Sequence, residues 1–153
     1  MKYVSTLIAV TDMARSKAFY RDVFGLEVLS DFGANIVLTG GIALQTMDTW
    51  RGFIENREVT LPSNAMELYF EETNLDAFLE RLKKFDVEYV HGVMEHAWGQ
   101  RVVRFYDPDR HIIEVGEDMA SVVERFKDAG LTDEQTAVRM DVPLEYIQGL
   151  LHP

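Results

Sequence analysis

The sequence predicts an α+β protein: two paired βαβββ modules forming a curved sheet around a cleft, followed by a C-terminal helical extension. Three observations predict it. A β-rich run followed by a capped amphipathic helix occurs near residue 3 and again near residue 66. Each helix is followed by short strand-like segments set apart by glycines or turn residues. From residue 118 onward the cadence is helical.

The elements follow in order. Residues 3–10 (YVSTLIAV) are β-branched and aliphatic and read as a strand. Asp12 caps a helix through about Phe24, with Phe19, Tyr20, Val23 and Phe24 on one face, and Gly25 stops it. Strands near 26–31, 34–38 and 41–46, separated by Gly33, Gly40 and Gly41, complete a first module over 1–46. Residues 47–64 read as a polar connection with Trp50, Phe53 and Pro62. It is long for a compact domain, so it is either functional or a bridge.

The pattern then restarts as a second module over 65–117. Residues 66–72 (MELYFEE) alternate as a strand. Asn74 caps a helix with Leu75, Phe78, Leu79 and Leu82 on one stripe. A strand at 87–90, a loop through His91–Gly99 and a hairpin of 100–106 with 111–116 follow. The turn Asp107-Pro108-Asp109-Arg110 has Pro at the second position of a type I turn. Position 12 aligns with 74, 5 with 67 and Gln45 with Glu114. Neither half buries both sheet faces alone, so the halves are expected to pair and place equivalent strands around one concavity. The tail, 118–153, carries Met119, Val122, Val123 and Phe126 on one helix, a capping box at Thr132–Gln135, and a last helix after Pro143. His152 is terminal.

Composition bounds the function. A chain of 153 residues that is 47% hydrophobic and 27% charged is globular, not disordered. It has no cysteine, so it has no disulfides and no thiolate chemistry. The first residues lack the apolar run of a signal peptide, and nothing approaches a membrane span, so a cytoplasmic protein is expected. The net charge of −11 repels phosphate backbones and anionic membranes, which disfavours nucleic-acid and membrane partners. Within the tail, LTDEQTAVRMDVPLEYIQGLL has the rhythm of a short helix-turn-helix, but with Arg139 as the only cation of that stretch it is better read as packing, a lid or a dimer contact.

Two carboxylates, Glu67 and Glu114, lie inside strands, where glutamate is disfavoured. They are either exposed residues on an outer face or groups of a site. Parity sets Glu67, Tyr69 and Glu71 on one face of their strand. If the DPDR turn closes a four-residue hairpin, Tyr106 pairs with His111. Val103 then stands opposite Glu114, and Arg101, Val103 and Phe105 line its face. The loop His91–Arg101 offers an aromatic platform in Trp98, an anion clamp in Arg101, and His96. The ordinary reading is that Trp98 packs a corner and His96 is solvated. His111 points away from Glu114 and reads as structural.

These segments carry a resemblance. TLIAVTDMARSKAFYRDVFGLEV resembles the opening of the vicinal oxygen chelate superfamily of glyoxalases, bleomycin-resistance proteins and extradiol dioxygenases, and WGQRVVRFYDPDRHIIEVGE resembles its second-module ending. The likeness covers residues 3–117. It implies that ligands for a metal come from the first and last strands of each module, which here are Ser5, Gln45, Glu67 and Glu114. Ser5 and Glu67 stand where His is usual. The remaining all-oxygen set suits Mg²⁺ or Mn²⁺ over Zn²⁺, Ni²⁺ or Fe²⁺, with no cofactor as the alternative. Relatives commonly carry Gly at position 110, where the backbone needs φ > 0.

The resemblance implies a glyoxalase-like enzyme. It would do lyase or isomerase chemistry on a small oxygen-rich metabolite, with Glu114 and Glu67 as ligands or acid–base groups. Tyr69, Trp98, Arg101, Phe105 and His96 are the substrate-binding candidates. The alternative is a small-molecule binding protein of the bleomycin-resistance type. A homodimer is expected in either case.

Overall fold

The computed structural model describes residues 1–151; His152 lies outside the described residues. The chain divides into two compact units. The first is Met1–Met66 with Tyr106–Ile112, and the second is Glu67–Phe105 with the chain from Ile113 onward.

In the first unit β1 (Thr6–Val10) leads into α1 (Met13–Phe24), then β2 (Val28–Asp31), β3 (Asn35–Leu38) and β4 (Ile42–Thr46). The sheet order is β1-β4-β3-β2, with β1 parallel to β4 and the other pairs antiparallel. The helix forms where expected, because the Asp12 carboxylate accepts the Arg15 N–H at 3.0 Å and Gly25 ends it at φ 69°. Its Tyr20 and Val23 are buried, as are Ile36, Leu38 and Leu44 of the sheet. Each such side chain contributes roughly 1.5–3 kcal/mol by leaving water. Within the connection expected over 47–64, Met47–Phe53 forms a helix, α2. It buries only Met47, so no apolar stripe announced it.

The second sheet repeats the first. Its strands are β5 (Ser63–Glu72), β6 (Tyr89–Glu95), β7 (Arg101–Tyr106) and β8 (His111–Glu117), in the order β5-β8-β7-β6. The Asn74-capped helix α3 (Leu75–Leu82) buries Leu75, Phe78 and Leu82. The stretch expected to be a loop from His91 is strand as far as Glu95. Its pairing with β7 slips twice, between Tyr89 and His91 and between His91 and Met94. Such irregularities break the two-residue alternation by which a strand is recognised.

The hairpin corrects a second expectation. The Asp107 N–H donates to the His111 carbonyl at 3.0 Å, and Arg110 N–H donates to the Asp107 carbonyl at 3.0 Å. Pro108–Arg110 therefore close a three-residue loop, with Arg110 at φ 64° in the left-handed position of a type I turn plus bulge. Asp107, not Tyr106, stands opposite His111. A one-residue slip turns every side chain to the other face. Arg104, not Val103, is opposite Glu114, and Arg101, Val103 and Phe105 lie on the face away from it. Phe105 is buried with its ring 6.4 Å from that of Phe78 on α3.

The turn's two aspartates are structural. Buried Asp107 accepts from Tyr20 Oη at 2.8 Å and pairs with His111 Nδ1 at 2.8 Å. Asp109 accepts from the Thr11 N–H at 2.9 Å and Ser16 Oγ at 3.0 Å. Every buried carboxylate of the turn is thus satisfied.

The tail forms α4 (Met119–Asp128), α5 (Asp133–Met140) and α6 (Leu144–Leu151). Val122, Val123, Phe126, Ala137, Met140 and Ile147 make their own buried cluster. The capping box at Thr132 and Gln135 is present in full.

Candidate functional site

The second sheet gathers the charged groups. The strand alternation of β5 puts Glu67 and Tyr69 on one face, and the slipped hairpin register puts Arg104 of β7 and Glu114 of β8 there too. Arg104 Nε donates to Glu67 Oε2 at 2.8 Å, and its Nη2 ion-pairs with Glu114 Oε2. Glu114 is 5% exposed, so its charge is held almost wholly by that guanidinium. Glu67 is the more open of the two, with a side chain 35% exposed.

Arg104 Nη1 also lies 3.3 Å from His91 Nε2. Guanidinium nitrogens only donate, so His91 Nε2 accepts. The proton is then on Nδ1, which donates to the Gly92 carbonyl at 2.7 Å. One arginine thus organises two carboxylates and an imidazole.

The β6–β7 loop supplies the rim. The His96 ring stacks on Trp98 with centroids 4.2 Å apart and planes at 16°. Burial, then the nearby Arg104 charge, lower the His96 pKa from its ordinary value against the opposing pull of Glu67. His96 therefore feels the Glu67–Arg104 pair and is neutral near pH 7. Trp98 Nε1 donates to Gln100 Oε1 at 3.2 Å, and Gln100 Nε2 donates to Tyr69 Oη at 2.8 Å and to the Glu117 carbonyl at 2.8 Å. A Cβ at Gly116 would come within 2.8 Å of Gln100 Nε2 and 3.2 Å of the Tyr69 ring, so a side chain there would push the Gln100 amide out of this layer.

Arg101 lies elsewhere. It donates to Glu117 Oε1 through Nη2 at 2.6 Å and to Asp76 Oδ1 at 3.0 Å. Gln45 lies in the first unit, where its Oε1 accepts from Asn35 Nδ2 at 2.9 Å and its Nε2 donates to Thr49 Oγ1. Ser5 is half-buried just ahead of β1.

A divalent ion needs several free anionic oxygens. Here both strand carboxylates are engaged by Arg104, and the Gln45 oxygen is engaged by Asn35. Among the described residues, no three His, Cys, Asp or Glu are grouped so as to hold a metal. With Arg104 in this position the donor set does not fit such an ion. Sequence reasoning missed Arg104 and His91. The available signal was Arg110 at a glycine-type position, because a left-handed residue there shortens the loop and flips the face.

A glyoxalase-like domain model matches residues 3–120. The chain belongs to this glyoxalase-like family, within the vicinal oxygen chelate superfamily. No curated protein matches it. Among solved structures, a protein of unknown function from Agrobacterium tumefaciens str. C58 is 40% identical, with TM-score 0.69, over 77% of this chain and 94% of that one. A glyoxalase/bleomycin resistance protein/dioxygenase family enzyme from Burkholderia phytofirmans PsJN shares the fold at 15% identity and TM-score 0.67, over 76% and 98% of the two chains. A lactoylglutathione lyase from Agrobacterium tumefaciens does so at 23% identity and TM-score 0.57, over 74% and 90%. Among the described residues no helix is long and apolar enough to cross a membrane.

Proposed function

We propose that this protein is a glyoxalase-like enzyme that moves a proton at a carbon beside a carbonyl of a small oxygen-rich metabolite, an isomerase- or lyase-type reaction. The observation that carries the reading is the Glu67–Arg104–Glu114 array, in which a cation is fixed between a buried carboxylate and a half-open one. Glu67 is the group that takes the proton. The substrate's C–H pair becomes the C=C bond of an enolate as the carbonyl π pair moves onto oxygen, and that oxyanion is stabilised by Arg104, the job a metal ion has in other designs. Glu114 holds Arg104 in place from the buried side. Neutral His96 returns or relays the proton, and Trp98 and Tyr69 provide the apolar wall. Arg104 takes the electrophilic role here, and an Mg²⁺ or Mn²⁺ ion at the strand carboxylates would require it to leave. The protein acts as a homodimer on a small-molecule ligand in this reading.

The test uses deuterium wash-in. The protein is incubated in D₂O with a panel of 2-hydroxyaldehydes, 2-hydroxyketones and 2-oxoacids, and exchange at carbon is followed by NMR. At least one compound is expected to exchange, and Glu67→Gln is expected to slow it by roughly 10²–10⁴-fold, the usual weight of general-base catalysis. Exchange that is absent across the panel, or unchanged in Glu67→Gln, overturns the reading. Added Mn²⁺ or Mg²⁺ is expected to leave the rate and the melting temperature unaltered.

One observation favours a second reading, a ligand-sequestering protein. Trp98 and Tyr69 are 41% and 47% exposed, an open aromatic surface beside the charges. Thermal shifts with a panel compound that shows no exchange would support it.

A further inference from the structure

The three tail helices begin where the matched family domain ends, and they reach back to the loop that carries His96 and Trp98. Arg139 of α5 donates from Nη1 to the Ala97 carbonyl at 2.5 Å and from Nη2 to Glu95 Oε1 at 2.8 Å. Arg125 of α4 donates from Nη2 to the Gly99 carbonyl at 2.5 Å and to Glu117 Oε2 at 3.0 Å. Both guanidinium carbons lie over the Phe126 ring, at 5.0 and 5.1 Å from its centroid. That ring fills the space above Gly99, where an added Cβ would stand 2.3 Å from Phe126 Cζ. Gly99 sits at φ 92°, so the loop needs glycine for its backbone and for its close approach to the tail.

We infer that the C-terminal helices are a clamp that positions the His96–Trp98 pair, with Arg139, Arg125 and Phe126 as the positioning residues. The loop needs such a clamp. It has few internal ties, chiefly His96 N–H to the Gln100 carbonyl at 2.9 Å and Gly99 N–H to the His96 carbonyl at 2.8 Å. Each of the two arginines ties one loop carbonyl to a neighbouring carboxylate, and charge-assisted bonds are the strong kind. The tail helices in turn are packed on one another through their own apolar cluster. The functional weight of this inference rests on the proposed site, but its structural content does not.

The experiment needs no substrate. In the full chain carrying Trp50→Phe, Trp98 is the remaining tryptophan, since the sequence has two. An imidazolium stacked on an indole quenches its emission, so a pH titration of that emission reads the protonation of His96. In the parent the midpoint is expected below 6.5, the ordinary value. Arg139→Ala is expected to free the loop, move the midpoint up toward 6.5, and speed amide exchange at His96 and Gly99 by about tenfold, the scale of one lost charged hydrogen bond. The β7–β8 amides are expected to keep their protection. Arg139→Lys retains the charge without the fork and is expected to fall between, and it serves alone if the alanine variant does not fold. Unchanged loop exchange and an unchanged midpoint overturn the clamp. Protection lost evenly across the sheet also overturns it, because that is the mark of a merely structural residue. Failure of the deuterium wash-in would leave these readouts intact, so the two proposals fail separately.

Discussion

Removing the Arg104 guanidinium leaves the Glu114 carboxylate, 5% exposed, without its counter-ion. Arg104→Leu is therefore expected to destabilise the protein by about 3 kcal/mol in urea melts, and Arg104→Leu with Glu114→Gln is expected to regain part of that loss. Equal losses in the single and double variants would remove the pair from the account. The two glutamates were legible in the sequence because charged residues inside β-rich runs are out of place. Arg104 was not, because both arginines of RVVRFY are plausible and only the strand register chooses between them. His96 and Trp98 were also visible as residue types, but their stacking depends on where the loop turns.

At the element scale the hairpin loop decides that register. Arg110 occupies a left-handed conformation that costs a non-glycine residue about 1 kcal/mol, set partly against its guanidinium lying 5.1 Å from the Tyr106 ring centroid. Arg110→Gly is expected to raise the unfolding midpoint modestly, by at most about 1 kcal/mol in free energy, and a loss of stability would show that the stacking outweighs the strain. The end of β8 gives a pH prediction. Burial raises the Glu117 pKa, but hydrogen bonds from Arg101 and Arg125 outweigh it, so the net value lies below 4.5. A lowered carboxylate pKa stabilises the fold above 4.5 and loses that contribution as pH falls through the folded value. Parent and Glu117→Gln stabilities are expected to differ at neutral pH and to converge in acid. A gap that widens on acidification contradicts the assignment.

At the scale of the whole molecule, the chain is a family domain with an added helical tail. The matched residues end at 120, and the tail's buried cluster lies beyond them. Its helices were readable from their spacing and from the Thr132–Gln135 box, which forms as expected. Its attachment was not. Arg125 and Arg139 look like ordinary surface charges in the sequence, and only the folded chain brings them to carbonyls of Ala97 and Gly99.

The repeat, the element order, the helix caps and the fold class follow from the sequence alone, because each rests on local patterns: alternation, helical stripes and capping residues a few positions apart. The candidate site is a particular face of the second sheet, with Arg104 at its centre. That face was decided by tertiary structure. It hangs on a single-residue register and on contacts between segments far apart in the chain, and neither leaves a local trace beyond an arginine where a glycine is usual.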